Sequence, residues 1–295
     1  MTVNQKEIVG FIGLGTMGAP MAANIAAGGY ELRVYDVDPD AARAVAERIG
    51  ATAVQDVTEL AECAIVVLML PTSAIVRSVL VTPEGTSRIP FGPGAVVVDM
   101  SSSDPTETVE TGRALAASGV AMVDAPVSGA RERAVAGTLA IMMGADDDAA
   151  AERAVPVIET MSRAIYRTGK LGTGHAMKAL NNFVAGAAFV ATSEALVAGE
   201  RFGLDPRLMV DVFNDSTGQS FSTTHVFGPH VVERQFASGF ALPLITKDVR
   251  IARELQHAVD HDAPVCEAVT RSLEDALEAL GPVDHTLAYT HWESR

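Results

Sequence analysis

Cysteine is almost missing from this chain. The 295 residues hold two, Cys63 and Cys266, in opposite halves of the sequence. No disulfide framework and no Cys-x-x-Cys metal pattern can be built from them, which suits a reducing compartment and a cytoplasmic protein. Each stands in an apolar stretch that reads as helical, so both are expected to be small core residues. Positive charge is also scarce. Lys and Arg number 22 against 37 Asp and Glu, for a net charge of −15. That balance disfavours nucleic acid as a partner and favours a soluble, self-repelling surface, while leaving room for a locally positive pocket. The start, residues 1–7, has no apolar leader core. No run reaches the roughly 18 unbroken apolar residues of a membrane span. The longest candidate is interrupted by Asn181, Asn182, Thr192 and Ser193. Internal repeats and low-complexity tracts are lacking too, and the aspartates at 146–148 read as a solvated helix start.

What is present is ordinary globular material, 48% hydrophobic and 20% charged, in a length that suits two domains. The stretch from Gly169 to Asn182 is the pivot. Three glycines punctuate a loop that runs into a helix expected to end at Gly203, about 28 residues and roughly 40 Å long. From Ala179 to Ser193 it carries no charge, and its apolar residues wrap round the axis. Such a helix is expected to be buried on every face. Lys178 and Asn182 stand four apart near its start and share a face. A lysine there must be paired or working unless it snorkels from the helix end, and both readings stand on this evidence alone.

Before that helix, short apolar runs alternate with helical patterns. Residues 8–12, 32–35, 65–70, 95–99, 120–123, 139–143 and 164–166 read as strands. Asp38-Pro39 and Asp104-Pro105 read as caps followed by first-turn prolines. Strands this apolar, alternating with helices, make an α/β fold with a doubly wound, mostly parallel sheet covered on both faces. After Gly169 everything reads as helix: 206–213, 224–233, 247–260 and 264–280. Two domains follow, 1–168 with the sheet and 169–295 all helical, joined by the long helix.

Gly13-Leu14-Gly15-Thr16-Met17-Gly18 follows the first strand and opens the first helix. In that setting Gly-x-Gly-x-x-Gly is a dinucleotide fingerprint, its glycines permitting the turn and the close approach of a pyrophosphate. Asp36 stands 18 residues after Gly18, at the end of the second strand. A carboxylate there accepts from a ribose 2′-OH and repels a 2′-phosphate, so NAD is expected over NADP.

The run from Gly13 to Met21, with Asn24, resembles the N-terminal signature of the 3-hydroxyacid dehydrogenase family, which includes 3-hydroxyisobutyrate dehydrogenase and tartronate semialdehyde reductase. Three further blocks stand in family order. Asp124-Ala125-Pro126-Val127-Ser128-Gly129 resembles its substrate loop, 169–182 its catalytic block, and Lys247-Asp248 its late motif. The resemblance implies an NAD(P)-dependent oxidoreductase acting on a small 3-hydroxy acid or the matching semialdehyde. Lys178 would be the general acid/base, since desolvation beside a second cation favours the neutral amine a base must present. Asn182 would hold the substrate oxygen or orient Lys178. Ser128 and the Gly129 N–H would bind the substrate carboxylate, and Lys247 would close over nicotinamide and substrate. Leu70, Pro71 and Ser102 would line the cofactor. A homodimer or homotetramer that shares the helical domain is implied as well.

One departure concerns Ala130, which stands where relatives commonly have a second glycine. Its methyl group removes space and disfavours a positive φ, which implies a change in substrate shape. Arg131 and Arg133 read as surface charges on a helix start, with a second anionic group on the substrate as the alternative. His257 and His261, at metal-friendly spacing, have no evident third ligand, and no metal is expected. Ser101 and Ser103 lack a matched base, so no nucleophilic triad is expected. Two rival readings remain: an imine reductase on the same fold, whose members generally lack the lysine, and a non-catalytic NAD-dependent binding protein.

Overall fold

The computed structural model describes residues 7–295, so the N-terminal residues 1–6, read above as part of a start without a leader core, lie outside it. Strands and helices alternate as β1 (Val9–Ile12), α1 (Gly18–Ala27), β2 (Leu32–Tyr35), α2 (Pro39–Ile49), β3 (Thr52–Ala53), β4 (Ile65–Leu68), α3 (Ser73–Leu80), β5 (Val96–Asp99), α4 (Pro105–Ala116) and β6 (Ala121–Asp124). They continue as β7 (Val127–Ser128), α5 (Ala130–Ala136), β8 (Leu139–Ala145), α6 (Asp148–Glu159) and β9 (Ser162–Gly169). The sheet order is β3-β2-β1-β4-β5-β6-β8-β7, with β9 on β8. Strands β1 to β6 pair in parallel, whereas β8 runs antiparallel to β6 and β7. The strand order reverses between β1 and β4, the switch point where doubly wound sheets open a crevice.

Alternation along each strand divides its side chains between two cores. Val9 and Phe11, Ile65 and Val67, and Val96 and Val98 face the layer of α1, α2 and α6. Ile12, Val66, Leu68 and Val97 face the layer of α3 and α4. Three α-helices around the sheet start on aspartate caps. Asp38, Asp104 and Asp147 each accept two backbone N–H groups of the following turn. Each cap contributes about 1 kcal/mol. Sequence reading found no element at β3, at the 3-10 turn Val57–Leu60 or at α3. All are too short to show a periodicity, and α3 depends on the Thr72 side chain accepting from the Ile75 N–H. Cys63 is buried but lies in the turn before β4 rather than in a helix, because the Asp56 capping box closes a single turn there.

The helical part comprises α7 (Thr173–Phe202), α8 (Pro206–Asn214), the π-helical Thr223–Val232, α9 (Leu242–Ala258), α10 (Pro264–Leu280) and α11 (Ala288–Glu293). Phe189 anchors its core, with ring centroids of Phe227, His285 and Trp292 at 5.2, 4.8 and 5.9 Å. The chain forms two compact units, one through Lys178 and one from Ala179. The change of character at 168 thus precedes the change of unit by about ten residues, since the first turns of α7 are tied to the strand ends by Asp124.

The expectation that α7 is buried on every face is overturned. Met177, Asn181, Val184, Ala191, Ala195, Ala198 and Phe202 are exposed, and their spacings of three, four or seven residues place them on one stripe. Apolar composition states which faces can be covered. Within one chain, the cores reach only the side that carries Ala179, Phe189, Val190 and Leu196. By length and composition α7 could cross a membrane, and 39% of its most apolar window is buried inside the protein.

Candidate active site

The glycine loop lies at the switch point. Gly13 adopts φ +95°, and a Cβ there would strike the Met69 carbonyl oxygen and come 2.9 Å from Leu70 Cδ2. A Cβ on Gly18 would strike the Gly13 carbonyl oxygen, so this glycine brings α1 against the strand. Gly15 differs, for nothing lies within 4 Å of where its Cβ would be. Its open side, the α1 N-terminus with no side-chain cap, and a first turn without an acidic residue make a place that could hold a pyrophosphate. Leu14 N–H donates to Asp36 Oδ2 at 2.7 Å, and Asp38 N–H donates to Oδ1 at 3.0 Å. These bonds hold the carboxylate beside the loop, with lone pairs left for a ribose hydroxyl. Leu70 N–H donates to Ser101 Oγ at 2.9 Å, which joins the ends of β4 and β5. Thr16 and Met17 complete the loop, and Pro71 and Ser102 follow the same two strand ends.

The loop expected to receive the substrate follows β6. Ser128 ends β7, Gly129 has φ +142°, and Ala130 has φ +55°. The alanine occupies the left-handed conformation that its methyl group disfavours. Arg131 and Arg133 are exposed on α5, and the Arg133 stem packs where a Gly129 side chain would be.

The glycines around 169–174 bring α7 onto the sheet. Gly172 has φ +91°, and a Cβ on Gly174 would strike the Met142 carbonyl oxygen and come 2.7 Å from Asp124 Oδ2. Asp124, fully buried, accepts from Gly172 N–H and His175 N–H at 2.8 Å each. Burial pushes its carboxyl up, with His175 and the two backbone donors pulling the other way and Asp99 adding to the rise. Lys178 is half-buried, one turn beyond His175 on α7.

In the second unit, Asn182 Nδ2 donates to Asp248 Oδ2 at 2.6 Å, and Lys247 Nζ stands 3.1 Å from Asp248 Oδ1. Gly186 permits this, since a Cβ there would already be 3.1 Å from Val249 Cγ2 of α9. A single buried carboxylate therefore orients Asn182 and Lys247 together.

Comparison with known proteins bears on this arrangement. Residues 8–169 match the family described as the NAD binding domain of 6-phosphogluconate dehydrogenase. Residues 172–292 match the one described as NAD-binding of NADP-dependent 3-hydroxyisobutyrate dehydrogenase. The chain is 35% identical over 293 residues to 2-(hydroxymethyl)glutarate dehydrogenase of Eubacterium barkeri, covering 98% of this chain and 96% of that one. It is 33% identical over 286 residues to 3-hydroxyisobutyrate dehydrogenase of Pseudomonas aeruginosa, covering 94% of each. The solved structure of Mycobacterium tuberculosis 3-hydroxyisobutyrate dehydrogenase with L-serine matches at a TM-score of 0.88 and 30% identity, covering 97% of this chain and 99% of that one.

The chain belongs to the 3-hydroxyacid dehydrogenase family. Like its relatives it is an NAD-linked oxidoreductase that moves a hydride to or from the hydroxyl-bearing carbon of a small 3-hydroxy acid. Sequence reading of this dehydrogenase missed the buried polar residues packed around the candidate site residues. Asp248 was noted only as half of a motif, and Asp99, Thr108 and His175 were given no role. His175 had a signal, a histidine inside the glycine block, but its partners come from distant strands. Two of its histidines left aside, His257 and His261, resolve simply. His257 Nε2 is hydrogen-bonded to Glu267 at 2.8 Å and His261 is exposed.

Proposed function

We propose that this dehydrogenase oxidises, reversibly, acids of the form HOCH2–CH(R)–COO⁻ to the matching semialdehydes, with NAD preferred over NADP. The names of the relatives, 3-hydroxyisobutyrate, 2-(hydroxymethyl)glutarate and L-serine dehydrogenase, share that unit and differ only in R. Ser128 Oγ and the Gly129 N–H receive the carboxylate, and Ala130 beside them limits R. When bound, NAD takes up the hydride from the hydroxyl-bearing carbon. Lys178 removes the hydroxyl proton in that direction and returns it in the other. Asn182, held by Asp248, donates to the substrate oxygen or steadies the lysine, and Lys247 closes over substrate and nicotinamide. Gly13, Gly15, Gly18 and Asp36 bind the dinucleotide, while Leu70, Pro71 and Ser102 line it. The observation that carries this reading is the fixed start of α7, where buried Asp124 and two glycines set the turn just before Lys178.

We further infer that the functional division stays at 1–168 and 169–295. The open stripe of α7 faces another copy of the chain, in a homodimer or homotetramer in the cytoplasm, rather than a lipid bilayer; nucleic acid is not a partner. Sedimentation tests the assembly, and a monomer at micromolar concentration would refute it. Nicotinamide absorbance during turnover tests the chemistry, with NAD and NADP and a panel of acids that vary R. Turnover with NAD is expected to fall by about 10²–10⁴ in Lys178→Ala. Turnover that survives the substitution removes Lys178 from its role.

A further inference from the structure

A group of buried polar side chains beneath α7 has no part in that chemistry. His175 is 1% exposed, and Asp99 and Asp124, from the ends of β5 and β6, are both at 0%. Thr108 of α4 and Ser103 complete the group. Thr108 Oγ1 has one hydrogen and two partners, the Asp104 carbonyl oxygen at 2.9 Å and His175 Nδ1 at 2.8 Å, and giving that hydrogen to the carbonyl leaves Oγ1 to accept from a ring Nδ1–H. His175 Nε2 has no hydrogen-bond partner among the described residues and faces Asp99 Oδ2 at 3.8 Å. The same turn is gripped through its backbone by Asp124.

Asp99 reaches in the other direction as well. Its Oδ2 accepts from Ser103 Oγ at 3.0 Å, its Oδ1 from Ser101 N–H at 3.0 Å, and Ser101 Oγ accepts from Leu70 N–H. Hydrogen bonds therefore link Leu70 through Ser101 to Asp99, whose carboxylate faces His175 across 3.8 Å. An apolar residue could fill the volume of the ring, but it would leave two buried carboxylates without a polar neighbour on that side.

We propose that His175 is a positioning residue, whose buried ring between Asp99, Asp124 and Thr108 sets the height and rotation of the α7 start, and so of Lys178, against the strand ends that carry Leu70 and Ser102. This rests on the roles given above to Lys178 and Leu70. The ring touches no reactant, so its removal acts on the rate of the chemical step and not on dinucleotide binding.

The test compares His175→Ala, His175→Gln and Thr108→Val with the wild type by steady-state kinetics and by backbone hydrogen exchange over residues 172–178. In His175→Ala, kcat falls by about tenfold to a hundredfold, as expected when a base is misplaced by a fraction of an ångström to an ångström. KM for NAD stays within about twofold, and the Gly172 and His175-position amides lose protection. Glutamine can still donate to Thr108 Oγ1, so His175→Gln recovers most of the rate and the protection. Thr108→Val, which leaves the ring in place but removes its Oγ1 partner together with the bond to the Asp104 carbonyl, gives an intermediate kcat. An unchanged kcat in His175→Ala, a loss that glutamine does not recover, or a KM for NAD that rises in step overturns the proposal. Should His175→Ala fail to fold, an unchanged kcat in Thr108→Val overturns it. A wild type that transfers hydride to no acid overturns the role of Lys178 instead. The exchange comparison then still decides whether the ring grips the helix start.

Discussion

Replacing Ala130 by glycine should make this dehydrogenase more stable and change what it accepts. At φ +55° the alanine sits in the left-handed region, which costs an L-residue about 1–2 kcal/mol. Glycine adopts that conformation freely, but it loses about 0.5–1 kcal/mol more backbone entropy on folding. Ala130 is exposed, so losing its methyl group leaves no buried cavity to offset the gain. The net is a stabilisation of about 0.5–1 kcal/mol, or a rise in Tm of about 1–3 °C for a protein this size. Calorimetry on Ala130→Gly reads that directly. Kinetics with acids of graded R reads the second effect, a shift of about tenfold in kcat/KM towards the bulkier R, as one methylene in a pocket is worth. A lower Tm would show that the strain is compensated elsewhere in the loop. An unchanged preference would show that the methyl group does not face R.

Three other expectations follow from the same structure. Gly174→Ala drives a methyl group into the Met142 carbonyl and Asp124, so urea unfolding should show a loss of about 1–3 kcal/mol, with kcat reduced. A variant as stable as the wild type would mean that α7 can lift without cost. Asp36→Asn keeps an acceptor for Leu14 N–H but drops the charge, so KM for NAD should rise by about tenfold while NADP becomes usable. A wild type that already prefers NADP refutes the assigned role. At Asp284, burial raises the carboxyl, but hydrogen bonds from Thr286, Ser238 and Gly239 outweigh it and hold it below the usual carboxylate range. A lowered folded value means stability present above about pH 4 and lost as pH falls through that value. The deficit of Asp284→Asn in urea midpoint should therefore close at acid pH. A deficit independent of pH would refute it.

Much of the cofactor half was readable because its parts are neighbours in the chain. β1, the glycine loop, α1, β2 and Asp36 follow one another within Val9 to Asp36, and each has a local cause: apolar run, turn glycine, strand end. Helix starts at Asp38-Pro39, Asp104-Pro105 and Pro206 were legible for the same reason, since a cap and its turn are adjacent. Lys178 and Asn182 could be paired because helical spacing is local.

Other features depended on residues far apart. Asp248 reaches Asn182 across 66 positions, and Thr108 reaches His175 across 67. No periodicity encodes such meetings. The direction of β8, the open stripe on α7 and the left-handed turn at Ala130 were likewise decided by what packed against them. By itself the sequence determined most of the elements, the dinucleotide fingerprint and the candidates for the reacting groups. Only the tertiary structure decided which buried carboxylates hold those groups, because a buried charge is stable only beside the donors that folding brings to it.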